Sequence, residues 1–205
     1  MSLISRVKGL ILAPRKEWET ITNEEVAIPD LYRNYILYLA AIPPFASFIS
    51  SWLFGFYSRA TLTYVHSTFA AGLWRALVQY TLSLPAIFII AFVLSMVAPY
   101  FEGETNDRRA LTLAAYAYTP AWLAAGFGLV PGLRFLDFLG FWGVYIFYLG
   151  ATRMLGVPKD NVDVFTVVAL AVTMATSAPS GSGRPRSHSS PFTTAATAFF
   201  ARPRA

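Results

Sequence analysis

At 205 residues, with 56% hydrophobic, 16% aromatic and only 13% charged residues and a mean hydropathy of +0.50, the chain lies far from soluble domains, in which about 25% of residues are charged, and reads as an integral membrane protein. The formal charge of +5 at pH 7 sits on an apolar chain, so it points to basic flanks facing anionic lipid and excludes nucleic acid as a partner. The absence of cysteine excludes disulfides, thiolate catalysis and thiolate metal sites.

Residues 1–25 come first, and in them Leu3, Ile4, Val7, Leu10 and Ile11 fall at helical spacing, with Ser5, Arg6 and Lys8 elsewhere on the wheel. A short basic amphipathic helix lying on the membrane surface is expected. Pro14 suits the first turn of a second short helix, in which Trp18 and Ile21 would sit at headgroup depth beside the cations. Arg6, Lys8, Arg15, Lys16 and Trp18 are therefore read as interfacial anchors, serving either to orient the protein or to bind a partner or sense lipid. The apolar run 9–13 is shorter than a signal peptide's core of about 7–15 residues and ends at Pro14, so the first span is expected to act as the insertion signal.

Between Arg33 and Arg59 lie 25 uncharged residues, which predict a first span over 34–56. Pro43 and Pro44 remove two backbone donors inside it, so a kink is expected near residues 39–41, structural or lining a substrate path. Residues 57–72, mixed and containing Arg59 and His66, read as a re-entrant or surface loop. His66 stands alone before the tail, and a metal site needs three or four convergent ligands, so no metal is expected. Arg75 and Glu102 enclose 26 uncharged residues, which predict a second span over 77–100, with Pro85 as another kink candidate.

The stretch from Asp107 to Trp122 is the one around which the chain is organised: Arg108 and Arg109 stand at the foot of an uncharged run over 110–133, the predicted third span. Its 24 residues at about 1.5 Å each exceed a hydrocarbon thickness of roughly 30 Å. Between Asp137 and Arg153 only 15 residues are uncharged, about 22 Å of helix, so a fourth span over 134–155 needs Arg153 to reach back to the interface. Gly140, Gly143 and Gly150 share one face of it and permit close helix contact. A fifth span over 164–178 is marginal. Residues 179–205 shift to Ser, Thr, Ala, Pro and Arg, the composition of a disordered tail.

The fold expected is all-α: a polytopic transmembrane helical bundle of four clear spans and a marginal fifth, preceded by the amphipathic segment. Counted over alternating loops, nine Lys and Arg (Arg6, Lys8, Arg15, Lys16, Arg33, Arg108, Arg109, Arg153, Lys159) oppose three (Arg59, Arg75, Arg134), which predicts a cytoplasmic N-terminus. The tail's four arginines fall on the wrong side if the fifth helix crosses.

Several short patterns occur together in this order: the run from Arg6 to Pro14 followed by Trp18 and Ile21, Ala114 with Tyr116 and Thr119 with Pro120, then Tyr148 with Gly150 and Leu155 to Pro158. Through about residue 173 the chain resembles the Yip1 family of polytopic membrane proteins, in its bacterial branch. The resemblance implies a cytoplasmic N-terminus, five helices over residues 34–178 and a cell-membrane location. Eukaryotic relatives work in vesicle traffic with small GTPases, but after Asp30, Leu31 and Tyr32 this chain has Arg33 and Asn34 where their signature has glycine and proline. GTPase binding is therefore not carried over. Beyond about residue 173 the chain departs from the family, which suggests that residues 174–205 arise from a shifted reading frame.

No histidine pair, thiol, mid-span acid or phosphate loop is present, so no catalytic residue and no cofactor is expected. The best remaining candidates are Tyr116, Tyr118, Thr119 and Pro120, with Pro43, Pro44 and Gly143. They read either as kink and packing residues, Tyr116 bonding across to another helix, or as the lining of a small-molecule or lipid pocket. Two functions follow. One is a non-enzymatic membrane scaffold or organising protein whose partners are the bilayer and either another membrane protein or a second copy. The alternative is a small-solute transporter or channel, with Asn34, Gln79 and Tyr116 along an uncharged route.

Overall fold

In the computed structural model, which describes residues 2–24, 26–58 and 63–177, helix α7 (Asp107–Ala117) runs through the middle of the bundle, and all residues 110–117 are buried. Asn106 caps it, its Oδ1 accepting from the Arg109 N–H at 3.0 Å, and leaves Arg108 and Arg109 exposed at its foot.

Among the described residues three helices are long and apolar enough to cross a membrane: Ile28–Leu53, Phe69–Phe101 and Phe135–Met154. The first is composite, built from α3 (Ile28–Leu31), a π-helical turn (Tyr32–Ile36), α4 (Leu37–Ala40) and α5 (Ile42–Leu53). Its break at Ala41 is where the proline pair predicts one. The Ala41 N–H turns to the Leu39 carbonyl, and the Leu37 carbonyl it would ordinarily bond accepts from the Tyr80 hydroxyl at 3.0 Å. A neighbouring helix thus satisfies the carbonyl that the kink exposes.

Residues 57–72, expected as a loop, contribute instead to a short antiparallel ladder and to a helix. Strand β1 (Phe56–Ser58) pairs with β2 (Thr63–Val65), Phe56 opposite Val65, and among the described residues the regular structure is otherwise helical. Helix α6 (Phe69–Val97) begins at a Thr68 cap, eight residues before the predicted start, and takes in Arg75. It runs through Pro85 unbroken and ends in a 3-10 turn (Ala98–Phe101).

The third expected span is not one helix. It breaks at Tyr118 into α7 and α8 (Thr119–Phe127), because Pro120 has no N–H for the Tyr116 carbonyl and its ring crowds the preceding turn. Four clear spans therefore become three long helices and one broken one. The chain then folds back against α8 as a 3-10 helix (Pro131–Phe141) and continues as α9 (Trp142–Met154), which together occupy the place of the predicted fourth span. Gly143 fits α9 against the break in α7, where an added methyl would overlap the Ala117 carbonyl oxygen. Last comes α10 (Val162–Ser177), whose 16 residues make about 24 Å of helix, short for a crossing. The tail expected over 179–205, and the shifted frame proposed for it, lie outside the described residues apart from positions 174–177, which are helical.

The N-terminal segment departs most from expectation. Helices α1 (Leu3–Leu12) and α2 (Pro14–Thr22) fold against each other, and α2 packs on α9. Leu10, Trp18 and Ile21 are fully enclosed, while Ile4 and Leu12 on the other face of α1 stay exposed. Of the apolar stripe that sequence assigns to lipid, Leu10 is buried and Leu3 and Val7 are half-buried against protein, while Ile4 stays exposed. Leu10, Trp18 and Ile21 join one core with Leu111, Leu113, Ile146, Leu155 and Phe165.

Candidate functional site

Where α1 and α2 meet α7, the polar and aromatic groups of the bundle converge. Trp18, expected at headgroup depth, is driven between α7 and α9. An indole needs a partner for its one donor when buried, and here the Nε1–H donates to the Ile146 carbonyl at 3.0 Å. Gly150 makes room for it: a methyl there would overlap both the indole and Leu113. The absence of one side chain on α9 thus sets where α2 docks.

Tyr116 is the hub. Its ring meets Trp18 edge-on at 6.1 Å and Tyr35 edge-on at 4.8 Å, the geometry that opposed ring quadrupoles prefer. The Arg6 guanidinium lies 5.8 Å from the same ring centroid. Arg6, read as an interfacial anchor, is buried here because it ties three segments together. It donates to Glu17 at 2.7 Å and to Glu24, so one guanidinium faces two carboxylates from α2 and its C-terminal extension. Lys8, Arg15 and Lys16 remain exposed, as anchors would.

The cross-helix hydrogen bond expected of Tyr116 is made by its neighbours. The Thr119 hydroxyl donates to the Ala115 carbonyl at 3.3 Å, one turn back, so the Tyr35 hydroxyl is the donor in its 2.6 Å bond to Thr119 Oγ1. The π-helical turn carries Tyr35, and its widened backbone is what sets that side chain against the break between α7 and α8. Tyr32, from the same turn, donates to the Leu84 carbonyl at 3.0 Å and ties the first long helix to α6 beside Pro85.

The residues singled out by sequence therefore divide. Arg6, Trp18, Tyr116 and Thr119 come together in one buried cluster, completed by Glu17, Glu24 and Tyr35, which sequence reasoning did not single out. Pro43 and Pro44 stand apart at the kink before α5, where the Pro44 carbonyl accepts from Ser47 at 2.9 Å. Tyr118, its ring tilted against Trp122 at 5.9 Å, turns to a different space with Gly143. Pro120 is buried at the start of α8.

That space is a cavity of about 120 Å³ lined largely by small and apolar groups, among them Ala114, Ala117, Gly140, Phe147 and Ala169. It accommodates a short apolar group, with only the hydroxyl-bearing Tyr118, Thr166 and Thr173 as polar members of its wall. Among the described residues no cluster of three or more His, Cys, Asp or Glu could hold a metal ion.

The Yip1 domain family matches residues 8–178. The chain is 25% identical over 173 residues to "Inner membrane protein YohC" of Escherichia coli (strain K12), covering 82% of this chain and 88% of that protein. The match to the protein of the same name in Escherichia coli O6:H1 has the same figures. No solved structure matches the chain. With three long apolar helices and a family match over most of its length, this is a multi-pass membrane protein, and it belongs to the Yip1 family.

Proposed function

We propose that the protein is a non-enzymatic membrane-organising or partner-binding protein with its N-terminus in the cytoplasm. The observation that carries this reading is the docking of α1 and α2 at one end of the bundle through Trp18 and Arg6. We read the two docked helices as a wedge that adds cross-section on one side of the membrane and crowds one leaflet. The buried polar groups are committed to holding the wedge in place: Arg6 to two carboxylates, the Trp18 donor to α9, Tyr35 to Thr119. Orientation follows from the nine cations that sequence assigns to the N-terminal side against three on the other. The bacterial inner membrane is the proposed location, in keeping with the name of the relatives.

The broken helices are the one feature that favours a transporter, because half-helix ends line solute sites in such proteins. The apolar walls of the 120 Å³ cavity count against it. Liposomes carrying the purified full chain separate the two readings. The expected result is bilayer deformation at rising protein density, seen by electron microscopy, with small-solute flux equal to that of protein-free vesicles. Flux that Tyr116→Phe or Tyr118→Phe abolishes would reverse the assignment.

A further inference from the structure

A second polar feature lies at the docked end, apart from the Arg6 and Trp18 cluster. Between the start of α2 and the last turns of α9 lies a cleft of about 390 Å³ lined by Arg15, Tyr148, Leu149, Thr152, Arg153 and Lys159. Three of its six walls are cations drawn from three separate segments. Arg153 is fixed across it: one guanidinium nitrogen donates to the Arg15 carbonyl, and another pairs with Glu19 at 3.1 Å. Arg15 and Lys159 make no ion pair among the described residues, and the nearby Asp160 and Asp163 do not line the cleft. Three positive charges less that of Glu19 leave a net of two.

We propose that this cleft binds the headgroup of an anionic phospholipid carrying two phosphates. Two cations without carboxylate partners, Arg15 on α2 and Lys159 after α9, match two phosphates in charge and number. Depth favours a lipid over a free anion. Tyr148 lies six residues before the end of α9, about 9 Å along its axis, so the cleft runs from the interface toward the apolar layer. Tyr148 and Leu149 give its inner end an apolar wall for the glycerol and first acyl carbons, and Thr152 supplies a hydroxyl between the two zones. The assignment does not depend on the organising role proposed above.

Native mass spectrometry of the full chain in neutral detergent tests it, with three additives at equal phosphate: diphosphatidylglycerol, phosphatidylglycerol and inorganic pyrophosphate. The expected result is one retained diphosphatidylglycerol, weaker retention of phosphatidylglycerol and no displacement by pyrophosphate. Arg15→Gln with Lys159→Gln should weaken retention on the order of 30-fold, about fivefold for each cation removed. Arg108→Gln with Arg109→Gln removes the same charge outside the cleft and should leave retention unchanged. Thr152→Trp fills the cleft at constant charge and should also abolish it, which keeps a reading in hand if the charge variant fails to fold. Equal loss in both charge variants, unchanged binding after Thr152→Trp, or displacement by pyrophosphate would each overturn the assignment.

Discussion

Trp18→Ala should release α1 and α2 from the bundle while leaving the long helices folded. Truncating a fully enclosed tryptophan costs about 3–5 kcal/mol, and the site cannot collapse on the space left, because Gly150 offers no side chain to fill it. The lost hydrogen bond adds little, since the Ile146 carbonyl sits inside α9 and keeps the helical N–H four residues on. Trp18→Phe should therefore cost much less, recovering most of the packing without the donor. The measurement is limited proteolysis at Arg15 and Lys16 in mild detergent. At roughly 4 kcal/mol the undocked population, and with it the cleavage rate, rises by about three orders of magnitude when opening is fast. Lys16→Ala, an exposed change, should leave the stability of docking within about 0.5 kcal/mol.

Arg6→Met should be nearly as damaging, for an electrostatic reason. The Glu17 and Glu24 side chains are only 15% and 33% exposed, and both face the Arg6 guanidinium. Removing the cation leaves two carboxylates with little water and no counter-ion, a loss on the order of 3–5 kcal/mol for a buried pair. The diagnostic is rescue: Glu17→Gln with Glu24→Gln in the Arg6→Met background should restore much of the thermal stability, because the uncompensated charge is gone. If packing against Tyr116 were all that Arg6 supplied, the glutamines would restore nothing.

Uncharged runs in the sequence locate the first two long helices because a bilayer demands length and the absence of charge, both of which one chain displays by itself. The helix around Tyr116 proves central for the same reason. Pro43, Pro44 and Pro120 all point to breaks, since a proline's missing donor is a local fact. Whether the break becomes two helices is not local: α7 and α8 separate where Gly143 of a later helix meets the Ala117 carbonyl, whereas Pro85 leaves α6 continuous. The π-helical turn at Tyr32–Ile36 has no compositional mark. The docking of α1 was hidden because an amphipathic stripe looks the same whether lipid or protein covers it. One signal was present: Arg6 stands next to Leu3 and Leu10 at the edge of the apolar stripe, closer to it than Ser5. Glu17 and Glu24 are the partners that such a position requires.

The central claim is that the N-terminal helices are part of the bundle, and a cross-link tests it most directly. The chain has no cysteine, so a pair introduced as Glu19→Cys and Arg153→Cys reports without background, replacing side chains that meet at 3.1 Å. The control pairs Glu19→Cys with Arg75→Cys, which lies 22 residues, about 33 Å of helix, from the end of α6 nearest Leu155. A bis-thiol reagent as long as the two replaced side chains, applied in native membranes, should join the first pair and not the second. Failure of Glu19→Cys and Arg153→Cys to cross-link, with both thiols reactive, would contradict the account.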